Sequence, residues 1–279
     1  MPGDWIAGGA VREDVDIRLF CFAHAGGGSA LFRHWARLLP PSVNVCPVVL
    51  PGRESRIREL PYNRMEQLIG PLVEALRPHT DRPYALFGHS MGAAVAWEVA
   101  RRFAADRRGE PVVLFVSGRR APQLPNRRWF SELPDAAFLT ELGRLNGTPP
   151  EVLGQRGLVD LFLPSLRADF ELNERHTPLP GPRLTCPVSA LLGDADPEVD
   201  AAEMAAWRQA TAGPFGLRVF AGDHFYLKGP RPEVLEAIRR DIERAMPSAV
   251  PAGRHRWMET GSTTSTTGGP NARGPTGSR

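Results

Sequence analysis

Ser90 stands in FGHSMGAAVAWEVA, residues 87–100, where a short apolar run ends in Gly88-His89-Ser90-Met91-Gly92 and good helix formers follow. A serine on a sharp turn between a strand and a helix is the arrangement of an acyl-transfer nucleophile, and glycines two positions away on either side let strand and helix approach closely. The same five residues would also serve a plain helix start with Ser90 as N-cap. Chemistry requires more: a general base, an acid that orients it, and donors for a developing oxyanion.

Histidine is the side chain suited to take the serine proton near neutral pH. At a strand–serine–helix site the expected order along the chain is serine, acid, histidine. His24, His34 and His79 precede Ser90. His89 lies in the turn and is expected to point elsewhere, His176 comes before any acid at the end of a late strand, and His255 is in the C-terminal tail. His224, in AGDHFYL directly after the strand-like LRVFAG, remains as the expected base. For the acid, VSALLGDADP offers Asp194 and Asp196. Asp196 is favoured because it sits on the turn itself, just before Pro197, while Asp194 reads as a turn-capping carboxylate. A different acid position, after the strand that follows Ser90, reads SGRRAP and is basic. One oxyanion donor is expected from the backbone N–H of Met91. The second is expected from FAHAGGGS, residues 22–29, with Ala25 as the donor and Gly26 as the alternative; the lysine of a phosphate-binding loop is absent there.

These residues need a scaffold, and short apolar runs alternating with helical stretches supply one: a mostly parallel sheet covered by helices. The strand-like runs are residues 17–23, 43–50, 84–88, 112–118, 188–193 and 217–222. Helical periodicity marks 31–39, 65–76, 91–103, 201–210 and 232–245. From about residue 126 to 182 the rhythm breaks. That stretch carries helical pieces only, DAAFLTELGRLNG with Asp135 as a possible N-cap and Gly147 as a stop, then GLVDLFLPSLRADFELNERH. An apolar helical insertion between two strands is expected to form a lid over one end of the sheet.

Of the chain's 279 residues, 42% are hydrophobic and 23% charged, enough for one large α/β domain. No apolar run is long enough to span a bilayer, and the first residues lack a basic segment followed by an apolar core, so a cytoplasmic protein is expected. The net charge of +3 is carried by residues 249–279, where Arg254, Arg256, Arg273 and Arg279 face Glu259 alone. The balanced remainder, without an interleaved basic-aromatic stretch, argues against nucleic acid as a partner. Residues 248–279, rich in Gly, Ser, Thr and Pro, are expected to be a disordered tail. Cys21, Cys46 and Cys186 lie in or beside strand-like runs and read as buried thiols.

Taken together, HAGGG, PGRESR (51–56), GHSMGA, SGRRAP (117–122), GDADP and GDHFYL resemble a type II thioesterase, the stand-alone editing enzyme of polyketide and nonribosomal peptide synthases. The resemblance runs from about Leu19 to Ala245 and implies an α/β-hydrolase fold in a domain of residues 1–247, with the lid at about 126–182. It implies hydrolysis of acyl thioesters on the phosphopantetheine arm of acyl or peptidyl carrier proteins, by an acyl-enzyme on Ser90 with Asp196 and His224, and without metal or cofactor. Met91 and Ala25 fall on its oxyanion positions. The lid residues Leu158, Phe162, Leu166 and Phe170 are expected to shape the acyl chamber. Arg53, Arg56, Arg58, Arg119 and Arg120 are read either as contacts for an acidic carrier or its pantetheine phosphate, or as solvated surface. An esterase acting on a free small ester and a non-catalytic hydrolase-fold binding protein are the competing readings.

Overall fold

The computed structural model describes residues 4–8, 11–106, 109–145, 147 and 154–246. The expectation of a disordered tail at 248–279 lies outside them. Among the described residues six strands form one all-parallel sheet: β1 (Ile17–Phe22), β2 (Val43–Pro47), β3 (Tyr84–His89), β4 (Leu114–Ser117), β5 (Val188–Gly193) and β6 (Phe215–Phe220), in the order β2-β1-β3-β4-β5-β6. β1, β3 and β5 are buried at every residue, as strands covered on both faces must be.

The period of two divides the strand side chains between two cores. Phe20, Phe22, Leu86, Leu114, Val116, Ala190 and Leu192 pack on one face against α2 (Met65–Leu76) and α3 (Met91–Ala105). Leu19, Cys21, Ala85, Phe87, Phe115 and Leu191 pack on the other against Trp35 and the C-terminal helix Pro232–Ala245. All three cysteines are free and buried, and burial pushes their thiols up.

Two expected helices are broken up. Over 31–39 the chain forms a 3-10 turn (Ser29–Phe32) and the single-turn α1 (Trp35–Leu38), which stops where Leu39, preceding Pro40, is driven into extended backbone. The stretch 201–210 starts on an Asp200–Glu203 capping box as α6 (Ala201–Ala205) and tightens to a 3-10 turn over Ala206–Ala210. Among the described residues the expected lid segment holds a 3-10 turn (Phe130–Glu132), α4 (Asp135–Arg144) and α5 (Arg156–Glu174), and its apolar face is a small core of its own around Phe138, Leu142 and Leu166. Pro134, not Asp135, holds the N-cap of α4; the Asp135 carboxylate accepts from Arg167 instead. With α6 placed, Pro232–Ala245 is α7. No helix among the described residues is long and apolar enough to cross a membrane.

The sheet order reverses between β1 and β3. Chain leaving these two strands departs in opposite directions and opens a crevice at their carboxyl ends, the usual place for a site in a parallel sheet. The loop holding Ala25 follows β1, and Ser90 follows β3.

Candidate active site

Ser90 sits between the last residue of β3 and the first of α3, with φ 54° and ψ −120°. A non-glycine residue in that conformation costs on the order of 1–3 kcal/mol and persists only where its surroundings impose it. Here they do: Ser90 N–H donates to Ser117 O at 2.8 Å, and its carbonyl accepts from Ala93 N at 3.0 Å. The flanking glycines have a steric cause. A Cβ at Gly88 would lie 2.1 Å from Gly92 O, and one at Gly92 2.2 Å from Phe22 O, so only glycine lets α3 close onto β3 and β1.

The loops after β5 and β6 bring the other residues in. Asp196, whose side chain is wholly buried, has Oδ2 2.8 Å from His224 Nδ1. Its Oδ1 accepts from the backbone N–H of Glu198 at 2.8 Å and of Val199 at 3.3 Å, which fixes the carboxylate plane. Asp194 is exposed and caps the loop, accepting Gly222 N–H at 2.9 Å. Ser90 and His224 line one cavity of about 170 Å³, without a direct side-chain hydrogen bond between them. Catalytic hydrogen bonds of this kind commonly tighten only with substrate bound.

Two histidines flank His224. His89, set aside in the sequence as pointing elsewhere, is fully buried with its ring centroid 5.1 Å from that of His224. Its Nδ1 lies 2.9 Å from Ser117 Oγ, which in turn lies 2.7 Å from Tyr226 Oη. His24 packs edge-on against Phe225, with centroids 5.0 Å apart, and its Nδ1 is buried without a partner. Burial, and then the facing His224, hold both rings in the neutral form; His24 is pushed down to about 3, with Lys228 and Arg53 adding to the effect.

A histidine whose native pKa lies below its unfolded value binds its proton in the unfolded chain first. Between the ordinary histidine value near 6.5 and about 3, His24 therefore lowers stability as pH falls, by at most about 1.4 kcal/mol per unit. His24→Phe keeps the ring and removes the titration. Denaturant midpoints of variant and wild type should run parallel above pH 7 and separate below pH 6.5, the variant falling less; parallel curves down to pH 5 would contradict this origin of the slope.

A second cavity, of about 370 Å³, shares His24, Ala25, Leu145, Phe170 and Phe225 with the first and is walled by Phe162 and Leu166 of α5. Leu158 departs from the expectation: it is 41% exposed and lines neither cavity. A four-residue step overshoots the 3.6-residue turn by 40°, so three steps back from Phe170 carry Leu158 about 120° around the helix.

The arginines are largely occupied within the chain. Arg56 is buried, chelates Glu59 and stacks on Trp5. Arg119 donates to Asn173, and Arg120 donates to Pro125 O and faces Glu203. Arg53 pairs with Asp169 of α5, which also accepts Gly26 N–H at 2.7 Å. The Gly26 amide is thereby engaged, which leaves Ala25 as the oxyanion candidate on this loop. Of the five, Arg58 is the exposed one. Asp169 was missed in the sequence. Nothing local marks it there, since the same helix carries Asp160, which is exposed.

A family model described as "Thioesterase domain" matches residues 17–242. The chain is 38% identical to the protein named "Linear gramicidin dehydrogenase LgrE" from Brevibacillus parabrevis, over 87% of this chain and 94% of that one. Among solved structures it is similar to RedJ, a thioesterase from the prodiginine biosynthetic pathway in Streptomyces coelicolor, at 41% identity and a TM-score of 0.75, covering 81% of this chain and 86% of that one. It is likewise similar to YbtT, a type II thioesterase from the yersiniabactin NRPS/PKS biosynthetic pathway, at 34% identity and a TM-score of 0.76, covering 85% and 96%.

Proposed function

The chain belongs to the thioesterase domain family, and from that premise we propose that it hydrolyses acyl thioesters on the phosphopantetheine arm of carrier proteins, with Ser90 as nucleophile, His224 as general base and Asp196 as its orienting acid. The observation that carries this reading is the buried Asp196–His224 hydrogen bond on the cavity wall that also holds Ser90. With Asp196 accepting at Nδ1–H, the free Nε2 of His224 is the basic nitrogen.

Ser90 Oγ attacks the thioester carbonyl as its proton passes to His224. The tetrahedral oxyanion is received by the backbone N–H groups of Met91 and Ala25. On collapse the C–S bond breaks, the pantetheine thiol leaves with the proton from His224, and the acyl group stays on Ser90. Water, deprotonated by His224, then releases the acid and restores the serine.

The 370 Å³ lobe walled by Phe162, Leu166 and Phe170 is the acyl chamber in this scheme, and the lid sets what fits. The same proposal assigns residues 1–247 to one catalytic domain. The deciding experiment is a hydrolysis panel: short acyl groups on carrier proteins, the same acyl groups on free thiols, and matched oxygen esters. Carrier-bound thioesters should show kcat/KM at least about tenfold above the free thioesters, the worth of about 1.4 kcal/mol of added binding. Faster turnover of oxygen esters than of every carrier-bound thioester would favour an esterase of free small molecules.

A further inference from the structure

The oxyanion loop has an unusual problem for a catalytic donor: Ala25 is followed by Gly26, Gly27 and Gly28, the most conformationally free run in the domain. A donor that must meet a developing charge without reorganising cannot sit on a loop that samples several peptide orientations. Two residues far off in sequence remove that freedom. Asp169 Oδ2 accepts from Gly26 N–H at 2.7 Å and from Arg53 Nη1 at 2.8 Å, and its Oδ1 accepts from Arg53 Nη2 at 2.6 Å. The same Arg53 Nη1 donates to Gly27 O at 3.0 Å. The clamp is enclosed, with 2% of the Asp169 side chain and 11% of the Arg53 side chain exposed.

Peptide planarity turns these contacts into a statement about Ala25. In a trans peptide N–H and C=O point oppositely. The plane after Ala25 is held through Gly26 N–H. The plane before it, which carries the Ala25 N–H, is held through His24 O, which accepts Gly27 N–H at 2.8 Å. Gly27 is in turn held by Arg53. Both planes around the donor are therefore tied, and neither tie is made by Ala25 itself. Leu166, one turn before Asp169 on α5, presses on the same loop: a Cβ on Gly26, at φ +73°, would meet Leu166 Cδ1 at 2.5 Å.

We propose that Asp169 and Arg53 are positioning residues for the reaction, a buried bidentate clamp through which the lid helix orients the Ala25 N–H of the oxyanion site. The proposal rests on Ser90 as nucleophile and Ala25 as donor. Arg53 has two tasks in it. It fixes the carboxylate geometrically, and it cancels a negative charge that would otherwise stand close to the oxyanion. A lysine there keeps the charge but not the fork that reaches both carboxylate oxygens and Gly27 O at once.

Asp169→Asn and Arg53→Lys are to be compared with wild type for kcat and KM on a p-nitrophenyl ester and for the rate at which a fluorophosphonate labels Ser90, read by mass spectrometry. Asp169→Asn should lower kcat and the labelling rate together by about 10–100-fold, and Arg53→Lys by about tenfold, with KM within about twofold, because the lost interaction serves the transition state rather than substrate binding. Wild-type kcat and labelling in a folded Asp169→Asn, or a raised KM at unchanged kcat, would overturn the clamp. Should Asp169→Asn fail to fold, Arg53→Lys decides alone, since it keeps the ion pair: wild-type rates in it would end the proposal. Wild type that takes no label on Ser90 would instead overturn the nucleophile reading, and the clamp's role with it.

Discussion

Ser90→Ala is expected to lower kcat for thioester hydrolysis by about 10⁴–10⁶, to the level that binding and the oxyanion site alone sustain. Fold and stability should be nearly unchanged. Alanine keeps the Cβ, so the strain at φ 54° is the same in both proteins, and the elbow is held by backbone bonds, Ser90 N–H to Ser117 O and Ala93 N–H to Ser90 O, that do not involve the hydroxyl. The measurements are kcat on a carrier-bound thioester and a thermal melt of the same preparation. Turnover within tenfold of wild type would remove Ser90 as nucleophile, because no general-base hydrolysis by His224 alone matches an acyl-enzyme route so closely. A large loss of activity with a melt lowered by many degrees would point to collapse of the elbow instead.

Asp196→Asn should cost about 10⁴ in kcat while leaving the loop in place. An asparagine carbonyl can still accept the N–H groups of Glu198 and Val199, as Asp196 Oδ1 does. The other end of the side chain, however, becomes an amide that donates to His224 Nδ1, which forces the ring proton onto Nε2 and removes the base. Asp194→Asn provides the contrast. Its carboxylate only accepts Gly222 N–H, which an asparagine does as well, so a change of about twofold is expected. A larger loss from Asp194→Asn than from Asp196→Asn, in the same assay, would reassign the acid.

Much of the candidate site was legible in the sequence because its residues sit at fixed places in a repeating scaffold. Each catalytic candidate follows a strand, and strands announce themselves locally through apolar runs bounded by turn residues. β1, β3 and β5 fell where their apolar runs lie, and the Gly-x-Ser-x-Gly spacing carried its own steric reason, since both glycines stand where a Cβ would strike backbone. Element ends were less legible. α1 stops at Leu38, where Leu39 precedes Pro40, and β2 stops at Pro47, after which Val48 still donates to Cys21 O but bridges to Ile6 on its other side.

What the sequence by itself determined was the order of the candidate serine, acid and histidine behind a glycine-rich loop, because those are properties of neighbours along the chain. What only the tertiary structure decided were contacts between residues far apart in it. Asp169 meets Gly26 across 143 positions, a pairing no local pattern encodes. His89, dismissed from the turn, becomes a buried neutral neighbour of His224 because β3 and β4 lie side by side and Ser117 faces it. Leu158, one of four apparently equivalent lid residues, turns out to solvent since four-residue steps drift around a helix. Most of the arginines that looked free to greet a partner are occupied by Glu59, Asn173, Glu203 and Asp169 instead. Charge and spacing tell what a side chain can do; which partner satisfies it first depends on what packing brings within hydrogen-bond reach.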